Sequence, residues 1–288
     1  MEGLTPGRLT KDGIKLYEPA DFAGMHAAGK LAAEVLDMIA PHVEPGVSTG
    51  HLDQLIQTHV EAAGAKSATI GYRGYQHASC ISINHVVCHG IPGSNIPASK
   101  HEKTPRKSDI LLDGDILNID VTVILAGWYG DTSRMYIAGT PKPYALRLIE
   151  VTHICLKKAI EQVRPGNTFN DIGVAIQTYA EAQNMSVVRD FCGHGLGRVF
   201  HAPPNVLHYA IAQRMGPDSP IFEPGMFFTI EPMINLGGYG TKVLSDDWTA
   251  ITKDKSLSAQ FEHSVGVTET GCEIFTLSPA GTFYPSWS

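Results

Sequence analysis

The hydrophobic pattern divides the chain into helical stretches and strand-rich stretches. From Pro19 to Val43, Met25, Leu31, Ala32, Val35, Leu36 and Ile39 form an apolar stripe at helical spacing. Pro45-Gly46 breaks it, and Ser48 or Thr49 can cap a second helix over 49 to 63, ended by Gly64. Pro141 to Arg164 reads as another long helix stopped by Pro165-Gly166. Thr168 to Asp171 is a capping-box variant that opens a helix to about Asn184. Residues 68–91 and 187–278 instead mix aromatic and β-branched residues with turn formers, and read as strands and loops. Between them, 93–109 is polar, basic and broken by prolines, a surface loop. Residues 1–18 read as a loosely attached arm. No segment resembles a linker, so 19–288 is expected to form one domain of mixed α/β (α+β) class.

The sharpest alternation lies between Gly114 and Gly139. Leu117, Ile119, Val121 and Val123 take one side of a strand, and Asn118, Asp120 and Thr122 the other. A tight turn at Ala126-Gly127 returns the chain and sets Asp131 opposite Thr122, which makes Asp120 and Asp131 diagonal neighbours on one face. Two carboxylates side by side among aliphatic residues repel each other and call for a compensating cation. For this pair alone, a solvated sheet face with two incidental aspartates is an equal alternative.

An internal repeat extends the argument. Residues 45–64, PGVSTGHLDQLIQTHVEAAG, align without gaps with 165–184, PGNTFNDIGVAIQTYAEAQN. GDILNID at 114–120 aligns with GMFFTIE at 225–231, which puts Glu231 where Asp120 stands. DTS at 131–133 aligns with EHS at 262–264, which puts Glu262 where Asp131 stands. The expectation is two pseudo-symmetric halves, about 19–140 and 141–280, whose sheets bring four carboxylates to the centre. Such a set would be neutralised by two divalent cations. With His194, flanked by glycines in Cys-Gly-His-Gly-Leu-Gly, it suits borderline ions such as Mn, Fe, Co or Zn.

Composition narrows the class. The 288 residues are 43% hydrophobic and 18% charged with a net charge of -7, ordinary for a globular chain and unlike a polyanion binder, so no DNA partner is expected. The five cysteines are scattered, with no C-x-x-C, which argues for reduced thiols and a cytoplasmic setting. No apolar signal core or membrane-length run is present.

HGIP, NIDVTV, GDTSRM, GHGLG, FHAPP, TIEPM and EHS, in this order from about residue 20 to 278, resemble the type I methionine aminopeptidases. The resemblance implies the pita-bread fold: antiparallel sheets with outer helices around a central dinuclear metal site. It implies Asp120, Asp131, His194, Glu231 and Glu262 as metal ligands, with Asp131 and Glu262 bridging. It places His89 near the scissile amide nitrogen, His201 near the peptide carbonyl, and Tyr72, Tyr75, Cys80, Phe200 and Trp248 around the methionine side chain. The implied activity is removal of the initiator methionine from new proteins when the second residue is small. The substrates would be nascent polypeptides, and a monomer is expected. Lys100, Lys103, Arg106 and Lys107 read first as a solvated loop, with a transient ribosome contact as the alternative. Glu231 is assigned a second task, accepting a proton from the attacking water.

There are departures. Thr69 stands where some bacterial members have a pocket cysteine, 93–109 is longer than the turn in compact bacterial members, and no cysteine-rich zinc segment precedes the domain. The run from Pro204 to Pro224 is too short for the helical insert of the type II enzymes. Gly46-Val-Ser48-Thr-Gly50 matches the serine-hydrolase G-x-S-x-G, but it follows a Pro-Gly break and not a strand, so Ser48 is read as a helix cap. The rival readings are a proline-specific peptidase of the same fold and a non-catalytic binding protein of that fold. The aromatic, thiol-lined pocket favours methionine, and the retained ligand set favours catalysis.

Overall fold

The computed structural model describes residues 8–100, 106–211 and 219–282. Four helices, α1 (Phe22–Ile39), α2 (Thr49–Ala62), α3 (Pro143–Ile160) and α4 (Phe169–Ala182), occupy the expected stretches. Ser48 caps α2 by accepting the His51 N–H at 3.2 Å and itself donates to the Asp109 carboxylate, which agrees with its reading as a cap. Thr168 and Asp171 close a capping box at the start of α4.

In the first half, the strand Asp115–Leu125 is central and pairs antiparallel with Cys80–Ile83, Lys66–Ser67 and Trp128–Ala138. The hairpin turn falls at Ala126-Gly127, both with left-handed φ (49° and 79°), as a two-residue turn of the primed kind requires. That turn fixes the register at Thr122 opposite Asp131 and Asp120 opposite Ser133. Leu117, Ile119, Val121 and Val123 pack into a core with Leu36 and Ile39 of α1 and Leu52 and Ile56 of α2. With one face committed to that core, Asp120 and Thr122 must point the other way, toward the middle of the molecule.

The second half repeats the scheme. Phe227–Ile230 lies between His263–Val267 and Gly193–Gly195 in a five-stranded sheet, with Cys272–Ile274 and Ala202–Val206 at its edges. Its core joins Leu148, Ile149 and Cys155 of α3 and Ile172 and Ile176 of α4 to Phe228, Ile230 and Val265. The repeat extends to isolated pairings: Ser48 bridges Ile110, and Thr168 bridges Ile221. The halves meet along a seam in which Ser133 bridges Glu262, with Glu262 N–H donating to Ser133 O at 3.0 Å. On the same seam Ser264 Oγ donates to Asp131 O at 2.6 Å and Thr132 Oγ1 to Glu262 O at 2.7 Å. The aligned tripeptides DTS and EHS therefore lie antiparallel about a local twofold axis.

Two expectations are corrected. Residues 1–7 of the arm lie outside the described residues, but Ile14, Leu16 and Tyr17 are buried, and Tyr17 N–H donates to Gly225 O at 2.8 Å. That part of the arm is packed, not loose. In the basic loop, Lys103 lies outside the described residues, and Ile96 and Ala98 are buried. Arg106, expected on a solvated loop, makes a two-pronged contact with Asp115 at 2.6 and 2.8 Å. The loop is thus anchored where it rejoins the hairpin.

Candidate active site

All twelve residues singled out in the sequence line one cavity of about 740 Å³: Tyr72, Tyr75, Cys80, His89, Asp120, Asp131, His194, Phe200, His201, Glu231, Trp248 and Glu262. Its floor is the seam. Asp131, His194 and Glu262 are the tightest group, each offering a donor atom within 4.8 Å of the others. His194 Nε2 lies 3.4 Å from Asp131 Oδ2 and 3.8 Å from Glu231 Oε1. Asp120 and Glu231 border this group without belonging to it, and Asp120 faces Cys80 across the strand pair.

Backbone architecture delivers each side chain. His194 sits between Gly193 and Gly195, where a Cβ would come within 2.4 Å of Thr229 O and 2.0 Å of Pro203 O respectively. Only glycine lets that strand approach its neighbours so closely. His194 Nδ1 faces the Gly195 carbonyl at 3.2 Å, which can only accept, so Nε2 is left for the carboxylates. Asp131 Oδ1 accepts from Thr122 Oγ1 at 2.8 Å. Glu231 is held by Thr229 Oγ1 (2.9 Å to Oε1) and Gln260 Nε2 (3.2 Å to Oε2), while its N–H donates to His208 Nε2 at 3.1 Å. Thr229 also accepts the His194 N–H at 3.0 Å, so one hydroxyl ties both residues together.

Sequence reasoning missed Thr229, Gln260 and His208. Thr229 and Gln260 stand two positions before Glu231 and Glu262, so period-two spacing put each on its carboxylate's face. His208 has no local signal; it reaches Glu231 from 23 residues away.

The electrostatics show a surplus of buried negative charge. Burial, with the charges of Asp131 and Glu231, holds the Asp120 carboxyl well above the usual range. Burial, followed by Asp131, Glu231 and Asp120, does the same to Glu262. Glu231 is raised to about 7 by burial, with His194 pulling down and Asp131 pushing up. Burial pushes His194 down but is outweighed by its contacts with Asp131 and Glu231, which raise it to about 9. A set of oxygen and imidazole donors in this condition fits a divalent cation, which would supply the missing positive charge.

The upper wall is aromatic. Tyr72 contacts Phe200 (centroids 4.9 Å apart), and its hydroxyl meets His201 Nδ1 at 2.8 Å. Tyr75 packs on Trp248 at 4.8 Å, and the His89 ring stands edge-on to Trp248 at 6.1 Å and to Phe191 at 5.5 Å. Burial lowers His89; burial and the neighbouring His194 lower His201 to about 4. Both imidazoles are therefore neutral near pH 7, each with one donor and one acceptor nitrogen. Thr69 also lines the cavity, its hydroxyl donating to His77 O at 2.7 Å.

Comparison with known proteins places this arrangement. Metallopeptidase family M24 matches residues 23–269. The chain is 53% identical over 276 residues to the methionine aminopeptidase of Rickettsia prowazekii (strain Madrid E), covering 95% of this chain and 99% of that one. It is 49% identical over 265 residues to that of Escherichia coli (strain K12), covering 92% and 94%. The crystal structure of the Rickettsia prowazekii methionine aminopeptidase matches with a TM-score of 0.83 at 52% identity, covering 92% of this chain and all of that one. The prolidase from Pyrococcus furiosus, with a TM-score of 0.66 and 18% identity over 91% of this chain and 65% of its own, shares the fold alone. The pita-bread fold and the use of a divalent metal follow from these matches together with the Asp131–His194–Glu262 group. The chain belongs to metallopeptidase family M24, among its type I methionine aminopeptidases.

Proposed function

We propose that this chain removes the N-terminal methionine from newly made polypeptides whose second residue is small. The observation that carries the proposal is the single cavity in which the carboxylate and imidazole cluster adjoins an aromatic pocket. Asp120, Asp131, His194, Glu231 and Glu262 would hold two divalent ions, with Asp131 and Glu262 shared between them, and Mn, Fe, Co and Zn are the candidates. When bound, the ions supply Lewis acidity toward water and the peptide carbonyl.

The chain's own groups do the rest. The methionine side chain is unbranched and polarizable and packs well on aromatic edges. Tyr72, Tyr75, Phe200 and Trp248 offer those edges, and Cys80 closes the pocket beside Asp120. Burial raises the Cys80 thiol well above its usual range, so it serves as a small apolar wall and not as a nucleophile. His89 and His201 act as neutral hydrogen-bonding groups, His89 toward the scissile amide nitrogen and His201 toward the carbonyl oxygen. Tyr72 fixes the orientation of the His201 ring. A carboxylate oxygen of Glu231 accepts the proton of the attacking water, while Thr229 and Gln260 keep the group in place. The 19–288 stretch works as one catalytic unit, as a monomer in the cytoplasm, on nascent chains at the ribosome. No helix among the described residues is long and apolar enough to cross a membrane.

The test is turnover of Met-Ala-Ser and Ala-Pro peptides by chelated protein titrated with each ion. The proposal expects metal-restored release of methionine and no comparable cleavage of Ala-Pro. Preference for Ala-Pro, or full activity after exhaustive chelation, would refute it.

A further inference from the structure

We propose that Arg73 and Asp247 are specificity-determining residues that sort substrates by the charge of the residues just beyond the small second position. The inference rests on the reading of the cavity given above. Among the described residues lining the cavity, Arg73 is the one lysine or arginine, against five carboxylates: Asp120, Asp131, Glu231, Glu262 and Asp247. Four of these lie on the floor, Asp131 and Glu262 in the tight group with His194, and Asp120 and Glu231 beside it. Arg73 and Asp247 are exposed, so they stand where the cavity opens to solvent.

The two charges belong to different walls. Arg73 follows Tyr72, with its guanidinium carbon 5.4 Å from that ring, on the wall that holds Phe200 and His201. Asp247 precedes Trp248, on the wall that holds Tyr75 and His89. A peptide leaving the cavity after its first two residues therefore passes a cation contributed by one wall and an anion contributed by the other.

The backbone singles out the same two residues. Eight non-glycine residues among those described have a left-handed φ, and four of them line this cavity: Arg73 (48°), His89 (56°), His201 (58°) and Asp247 (62°). Such conformations are uncommon away from glycine, least so for Asp, Asn and His, and are held by the turns around them. Two of the four are the histidines already placed against the peptide. The other two are this pair of opposite charges.

A carboxylate at the third to fifth substrate position is attracted to Arg73 and repelled by Asp247, and an ammonium group the reverse. Both residues are exposed and solvent-screened, so each should alter discrimination by about two- to fivefold. The experiment measures kcat/KM with saturating metal for pentapeptide amides beginning Met-Ala and carrying Glu or Lys at position three, four or five. Amidation leaves the side chain as the charge under test, and a free-acid Met-Ala-Ser arm reports the contribution of a peptide C-terminus. The readout is the Glu-to-Lys ratio, which a general folding defect would leave unchanged.

Arg73→Gln should lower the ratio about two- to fivefold, Arg73→Lys should preserve it, and Asp247→Asn should raise it by a similar factor. Salt on the order of 1 M should compress both differences, because the screening length falls to about 3 Å. A ratio that neither substitution moves, or that both move in the same direction, overturns the inference while leaving methionine removal intact. If the unaltered chain releases no methionine from any of these peptides, the reading of the cavity falls and this inference with it.

Discussion

Glu231→Gln tests the buried charge surplus directly when the protein is kept free of metal. Burial and Asp131 raise the Glu231 carboxyl from 4.5 to about 7 in the folded chain. A raised carboxyl holds its proton more tightly folded than unfolded. Its stabilising contribution is therefore present below the unfolded value and disappears as pH climbs through the folded one. At 1.36 kcal/mol per pH unit, the metal-free chain should lose roughly 3 kcal/mol between pH 4.5 and 7.5 from this group alone. His201 and His208 act in the opposite sense: burial lowers them to about 4 and about 3, so they destabilise as pH falls below their unfolded value, whereas His194, raised to about 9, loses stabilisation as pH rises, as Glu231 does. His201 and His208 owe nothing to Glu231 and largely cancel in the difference, while Asp120, His194 and Glu262 are shifted in part by Glu231 and move with the substitution. The assay is urea unfolding of wild type and Glu231→Gln in chelator across this pH range. The variant should gain on wild type as pH rises from 4.5 to 7.5, with unchanged m-values. With metal saturating, the order should reverse, because the variant has given up a ligand. A constant stability difference across the range would show that Glu231 carries no buried-charge penalty.

Chelation of the wild type should abolish activity and lower Tm, with Mn, Co or Fe restoring both; full activity without metal would contradict the assigned ligands. Glu262→Gln, on the seam, should fail mainly by losing metal, read by calorimetric titration, whereas Glu231→Gln should remain at least about a hundredfold slow in kcat with metal in excess. His89→Ala should lower kcat at unchanged metal content, and loss of metal in that variant would move His89 into the ligand set. Trp248→Ala should raise KM for Met-Ala peptides and erode the preference for Met over Leu by about 1–3 kcal/mol; an unchanged preference would return Trp248 to a structural role.

The hairpin was legible because its signals are local. Strict alternation from Leu117 to Val123 and a two-residue turn at Ala126-Gly127 leave one register, and that register puts Asp120 and Asp131 on one face. The repeat then carried the same geometry to Glu231 and Glu262. What escaped depended on distant partners. Ile14, Leu16 and Tyr17 look like an arm until the chain near Gly225 and Met226 covers them. Arg106 reads as one charge in a basic loop until the folded hairpin presents Asp115. His208 is one histidine among thirteen in the sequence, distinguished only by meeting the Glu231 N–H.

The seam has a consequence for the order of assembly. Ser133 and Glu262 pair across 129 positions of chain (262 minus 133), so the contact closes a very long loop. Each half's helices and hairpins form from closer partners and can precede it, whereas the complete donor set exists only once both halves have docked. Metal can then bind tightly only on the native side of the folding barrier. Its stabilisation should appear as slower unfolding, with the folding limb of a chevron almost untouched. In a cell, a loaded enzyme would owe its lifetime to a latch fastened last, and withdrawal of the ion would shorten that lifetime without impairing the folding of newly made copies.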